Sequence, residues 1–194
     1  MSQRIVVIQG HPDPAGGHFA HALADAYTEG AKAAGHEVRR IEVATLDFPL
    51  LRTKQDYESG APPETIRAAQ DTIRWAGHIV IVYPMWMGEM PALLKAFLEQ
   101  LLRPGFAYTM SDGERPQKLL TGRSARIVMT MGLPVFVYRW YFGAHGLKNL
   151  ERSILWFCGI RPIRTSLIGM IESRHGARRT AWLERLRDLG RAGS

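Results

Sequence analysis

The sequence predicts a doubly wound α/β domain: a five-stranded parallel sheet in the order 2-1-3-4-5, with helices on both faces. Three observations predict it. Residues 5–8, 79–83 and 125–131 are Val- and Ile-rich runs without polar alternation, the pattern of strands covered on both faces. Helical stretches separate them, so that strand and helix alternate about five times along the chain. A length of 194 residues suits one domain, 1–194, and favours this strand order over the longer dinucleotide-binding arrangement.

The first strand, 5–8, leads through a Gly-rich loop into a helix over 18–34 that stops at Gly35. Residues 37–43 alternate at Val38, Ile41 and Val43, as an outer strand does. Pro63 opens a helix over 63–76 that stops at Gly77, and the third strand, 79–83, follows. Pro91 opens the next helix, 91–102, which ends before Pro104; 125–131 is the fourth strand. A helix over 146–157, a fifth strand over 163–171 and a helix over 176–189 complete the set. The connections 44–62 and 104–121 exceed ordinary loop lengths and suggest functional or subunit-contact segments.

Composition excludes several functions. No apolar run approaches the roughly 18 residues needed to span a bilayer, and the amino terminus enters a strand pattern directly, so no membrane insertion and a cytoplasmic location are expected. Cys158 is the single cysteine and sits among Leu155, Trp156 and Phe157, the setting of a buried structural thiol. The net charge of +7 is weighted toward the end of the chain, where Arg174, Arg178, Arg179, Arg185, Arg187 and Arg191 are interspersed with Leu183, Leu186 and Leu189. That is the pattern of a solvated helix face. No zinc-ligand spacing or aromatic-basic stripe points to a metal or a nucleic acid.

In this strand order the loops after strands one, three and four open together at the carboxyl edge of the sheet, where a ligand binds. The first of them, Gly10-His11-Pro12-Asp13-Pro14-Ala15-Gly16-Gly17-His18-Phe19, runs into a helix amino terminus and suits a phosphate; a plain turn with a solvated His11 is the rival. The second, Tyr83-Pro84-Met85-Trp86-Met87-Gly88, places a large aromatic at the mouth of the cleft, where a flat ring would cover it. A core or subunit contact would also use Trp86.

Taken with Pro84-x-Trp86, Met90-Pro91-Ala92-Leu93-Leu94-Lys95 and Pro104-Gly105-Phe106-Ala107-Tyr108, the Gly10-His11-Pro12 loop resembles the flavodoxin-like NAD(P)H:quinone oxidoreductase family. The resemblance covers nearly the whole chain and extends through Thr130-Met131-Gly132, the aromatic segment 138–142 and Phe157-Cys158-Gly159-Ile160. It implies a homodimer that takes hydride from NAD(P)H and passes it through FMN or FAD to a small-molecule, quinone-like acceptor. By position it implies His11, His18 and Phe19 at the flavin phosphate or ribityl chain, and Pro84, Met85, Trp86, Met87 and Gly88 along the ring. Thr130, Met131 and Gly132 fall at its pyrimidine end. The family often has Ser or Thr before the Phe and Asn after it, where this chain has His18 and Ala20.

In the third loop the resemblance makes Tyr138 and His145 the catalytic pair, donors to the flavin carbonyl that gains charge on reduction, with Tyr141 as the alternative to Tyr138. Hydride chemistry belongs to the cofactor, so no nucleophile or metal is required. The alternative functions are a flavodoxin-like electron carrier and a regulatory subunit with weak flavin binding. The residues do not separate FMN from FAD, or NADH from NADPH.

Overall fold

A computed structural model describes residues 2–109, 116–172 and 176–194. Five parallel strands form the central sheet: β1 Arg4–Gln9, β2 Glu37–Glu42, β3 His78–Pro84, β4 Ser124–Thr130 and β5 Ile163–Ile168. Their order is β2-β1-β3-β4-β5, as the alternation predicts. Every residue of β3 is buried, because it runs through the middle of the sheet with helices on each side. Edge strand β2 buries only Ile41 fully, which explains its alternating sequence.

Pleating divides each central strand between two apolar layers. Ile5 and Val7 of β1, with Val80, Val82 and Val128, face α1 (Phe19–Ala33) and α6 (Gly176–Ala192). Val6 and Ile8, with Ile79, Ile81, Ile127 and Met129, face the other layer. That layer contains α3 (Glu64–Trp75), α4 (Ala92–Leu101) and α5 (His145–Lys148), joined earlier in the chain by the short α2 (Lys54–Glu58). Helices α1 and α6 pack backbone to backbone: a β-carbon at Gly30 would collide with the Arg187 carbonyl, and one at Gly190 with that of Tyr27. Among the described residues no helix is long and apolar enough to cross a membrane.

Four segments depart from simple expectation. The helix expected over 146–157 starts one residue earlier and widens into a π-helix at Asn149–Trp156. Its buried residues, Leu150 and Leu155, are five apart, a spacing that i→i+5 winding brings to one side. A second π turn, Val137–Tyr141, lies inside the third loop, where no helix is expected. The connection 44–62 contains α2, capped by the Thr53 hydroxyl, which accepts the Asp56 N–H at 3.0 Å. In the other long connection Tyr108–Thr109 pairs antiparallel with Gln117–Lys118. The part of that connection between them, 110–115, and Arg174 lie outside the described residues. Cys158 is buried, and burial pushes its thiol up to about 12, far from reactive thiolate chemistry.

Candidate active site

Strand order reverses direction between β1 and β3, so the loops that leave their carboxyl ends splay apart and open a crevice between them. Buried Gln9 starts the first loop: its Oε1 accepts the His11 N–H at 2.8 Å. His11 Nδ1 then accepts the Asp13 N–H at 3.1 Å, and Asp13 Oδ1 accepts the Ala15 N–H at 2.9 Å. These side-chain bonds fix the loop without helical or strand pairing. Beyond them, the five N–H groups of residues 16–20 find no acceptor among the described residues. Gly16 and Gly17 have positive φ, and His18 caps α1 without a side-chain bond. A run of free donors at the positive end of a fifteen-residue helix can cradle an anion.

Three histidines gather at this cradle. The His11 and His18 rings stack at 3.9 Å, and His21, one turn into α1, lies 5.0 Å from His11 and 5.7 Å from His18. His18 Nε2 is 2.7 Å from Asp13 Oδ2. Burial, then the charges of His18 and His21, push His11 down to about 4. His21 is lowered as well, first by burial and then by His18. Both are therefore neutral at pH 7. An open hollow of about 450 Å³, lined by Asp13, Gly16, Gly17, His21 and Arg40, adjoins the loop. No group of three or more His, Cys, Asp or Glu among the described residues is arranged to hold a metal.

The second loop is a tight turn. Trp86 N–H donates to the Glu89 carbonyl at 2.9 Å and Glu89 N–H donates back to Trp86 at 3.0 Å. Met87 and Gly88 between them have φ of 50° and 82°, the left-handed pair that a two-residue type I′ turn needs. Pro84 ends β3 in the core, and the Met85 N–H donates to the Thr130 carbonyl at 2.7 Å, which ties this loop to the end of β4. Trp86 stands 49% exposed, its edge toward His11 at 6.2 Å, and Met87 is fully exposed. The N–H groups of Met87 and Gly88 have no acceptor among the described residues and are free for a ligand edge.

The third loop shares its side chains unequally. Thr130 and Met131 are buried, while Gly132 is exposed and offers its backbone. Phe19 is also buried, packed between α1 and α6 with the Arg179 guanidinium 4.6 Å from its ring centre, so what it brings to the cradle is its main-chain N–H. Tyr138 is 1% exposed; its hydroxyl accepts the Leu147 N–H at 3.0 Å and lies 3.5 Å from the Gly88 carbonyl. That hydroxyl joins the second loop to α5. Tyr141, by contrast, is 82% exposed, and so are Phe136, Trp140 and Phe142 in large part. His145 is exposed at the start of α5, beside Gly143.

Sequence reasoning finds the three loops but misses Asp13 and His21, which complete the histidine cluster. His21 was legible: three residues after His18 on a helix, it must share that residue's face. It also misses Gly146, which packs against the second loop so closely that a β-carbon would collide with the Gly88 carbonyl and come 2.9 Å from Glu89 Cδ. Isolated glycines in a sequence give no such signal.

Residues 3–189 match a family model described as flavodoxin-like fold. Among curated proteins, the chain is 30% identical over 184 residues to a Haemophilus influenzae protein named as an uncharacterized NAD(P)H oxidoreductase, covering 92% of this chain and 90% of that one. It is 26% identical over 180 residues to FMN-dependent NADH:quinone oxidoreductase 3 of Bacillus anthracis, covering 81% and 82%. The solved NAD(P)H:quinone oxidoreductase from Methanothermobacter marburgensis superposes with a TM-score of 0.81 at 20% identity, over the full length of both chains.

Proposed function

The chain belongs to the flavodoxin-like fold family, and from that membership we propose that it is an NAD(P)H-dependent flavin oxidoreductase using FMN to pass hydride to a quinone-like acceptor. One observation carries the reading: the row of free N–H groups at residues 16–20 and the half-exposed Trp86 lie on the same sheet edge, either side of the crevice. They fit the two ends of a flavin mononucleotide, a phosphate and a flat apolar ring. The bound FMN would supply hydride acceptance and release.

The residues then divide the work. Main-chain N–H groups of residues 16–20, with His11 and His18, would hold the FMN phosphate. Pro84 and Met85 carry the second loop, whose half-exposed Trp86 side chain and Met87 and Gly88 N–H groups would hold the ring. Gly132 leaves room and a backbone donor at the pyrimidine end, with Thr130 and Met131 packed beneath it. Tyr138 acts as a positioning residue, since its hydroxyl is engaged by Leu147. Exposed His145 and Tyr141 are the third-loop groups available to the acceptor. The aromatic surface of Phe136, Trp140, Tyr141 and Phe142 supports a homodimer in which a second copy shelters the pocket.

Anaerobic mixing of the FMN-loaded protein with NADH or NADPH tests this. The flavin absorbance should bleach and return on addition of a benzoquinone. Persistence of the oxidised spectrum with both nucleotides would overturn the oxidoreductase reading; bleaching without recovery on quinone would overturn the acceptor alone.

A further inference from the structure

At the amino edge of the sheet, opposite the crevice, polar side chains enter the layer between the strands and helices α1 and α6. His78 opens β3, Ser124 opens β4, and Arg126 and Arg164 follow on β4 and β5. Pleating puts all four on the face that carries Val80, Val128 and Ile168. The turn after α6 covers them: a β-carbon at Gly193 would come 3.0 Å from the Gln3 side chain, and the Ser194 oxygen accepts the Arg126 Nε–H at 2.6 Å. A cavity of about 280 Å³ stays open there, with Gln3, His78, Ser124, Pro162, Arg164 and Gly193 in its walls.

The charge around this cavity has one sign. The titratable groups that act on His78 are Arg126 and Arg164, and those that act on Arg126 are Tyr27, Arg164 and Arg185; no carboxylate is among them. Arg126 is engaged, since its Nη1 also donates to Ser166 Oγ at 2.9 Å. Arg164 is exposed, and its guanidinium has no acceptor among the described residues. His78 is 2% exposed, with Nδ1 2.7 Å from Ser124 Oγ and Nε2 without a partner among the described residues. In the tautomer where Ser124 donates to Nδ1, the neutral ring carries its proton on Nε2. The Tyr27 ring stacks 6.5 Å from that of His78, and its buried hydroxyl is unpartnered as well. Buried donors without acceptors are costly, and here they lie beside uncompensated positive charge.

We propose that this cavity is a second anion site, which takes a phosphate-type oxyanion, free or carried on a small molecule, against the Arg164 guanidinium and the His78 ring. An Arg fork with neutral donors beside it is the donor set that tetrahedral oxyanions recruit. The site stands independently of the flavin reading. His78 and Pro84 are the two ends of β3, so about 20 Å of strand separates it from the second loop. A ligand there would bridge the starts of β3 and β4, β5 and the end of α6, and would stabilise the fold by mass action.

Amide nuclear magnetic resonance spectra of the full chain, titrated with inorganic phosphate at constant ionic strength, test the site by location. The His78, Ser124, Ala125 and Gly193 amides should shift and saturate together. Arg164→Gln should weaken that binding roughly tenfold or more, and His78→Asn should weaken it in the same direction. Arg52→Gln, which removes an equal charge at an exposed position in the 44–62 connection, should leave it unchanged. Tighter binding of glycerol phosphate than of inorganic phosphate would support a carried anion, and the reverse a free one. No saturable shift at these four amides, or shifts confined to residues 16–20, would overturn the proposal. Equal weakening by Arg52→Gln and Arg164→Gln would overturn it too, because general charge attraction would then account for the binding.

Discussion

Gly146 at the start of α5 rests directly on the carbonyl of Gly88, with no space for a β-carbon between the helix and the turn that presents Trp86. The turn is thus fixed from below by a backbone contact. Gly146→Ala should push it out of place, costing about 1–3 kcal/mol of stability and weakening FMN binding. Urea unfolding and flavin titration measure the two effects, and an unchanged FMN affinity would show that the contact does not shape the site.

Trp86 contrasts with it, being half-exposed and outside the main core. Trp86→Ala should leave the unfolding midpoint nearly unchanged, within about 0.5 kcal/mol. FMN affinity should fall by roughly 1–3 kcal/mol, the scale of one aromatic stacking contact. Loss of stability with affinity retained would place the indole in packing instead of ligand binding.

The hydroxyl of Tyr138 satisfies the buried Leu147 N–H. Removing it in Tyr138→Phe orphans that donor, at a cost of about 1–3 kcal/mol. Tyr141→Phe, at an exposed ring, should cost nothing measurable. Thermal melts of the two variants side by side check this, and equal melting temperatures would contradict the positioning role given to Tyr138.

Acid should destabilise the fold through His78. It is buried at the start of β3 with Nδ1 bonded to Ser124 Oγ at 2.7 Å, and burial, reinforced by Arg126 and Arg164, pushes it from 6.5 down to about 4. Between those values the unfolded chain holds the extra proton, so stability rises with pH across the window and is lost as pH falls from 6.5 toward 4. The loss attributable to this residue is roughly 3 kcal/mol at the lower end. His11 and His21 add to it in the same direction. His78→Asn should flatten the fall in urea-unfolding free energy between pH 7 and 4.5; a fall as steep as the parent's would rule His78 out as its source.

The sheet was legible because apolar runs without alternation, as at 79–83, have few structural meanings, and β2 announced its edge position at Val38, Ile41 and Val43. The site was legible as loops and less so as side chains. Trp86 is where an exposed aromatic was expected, but Phe19 and Tyr138 turn inward. Burial of one aromatic among several depends on how the loop winds, and the π turn at Val137–Tyr141 has no pattern that periodicity detects. The Asp13–His18 pair spans five residues across a loop, a spacing that carries no regular geometry to read.

The main-chain donors at residues 16–20, unpaired among the described residues, also bear on how such a loop tolerates sequence drift. A cradle made of peptide groups is present whatever side chains decorate it, so exchange of one residue type for another at position 18 or 20 leaves the same number of donors in place. Only proline, which lacks the N–H, or a change in loop length removes them. His18 and Ala20 thus occupy positions where main-chain donors would serve an anion whatever the side chain, and the side chains there are left free to acquire new dependencies.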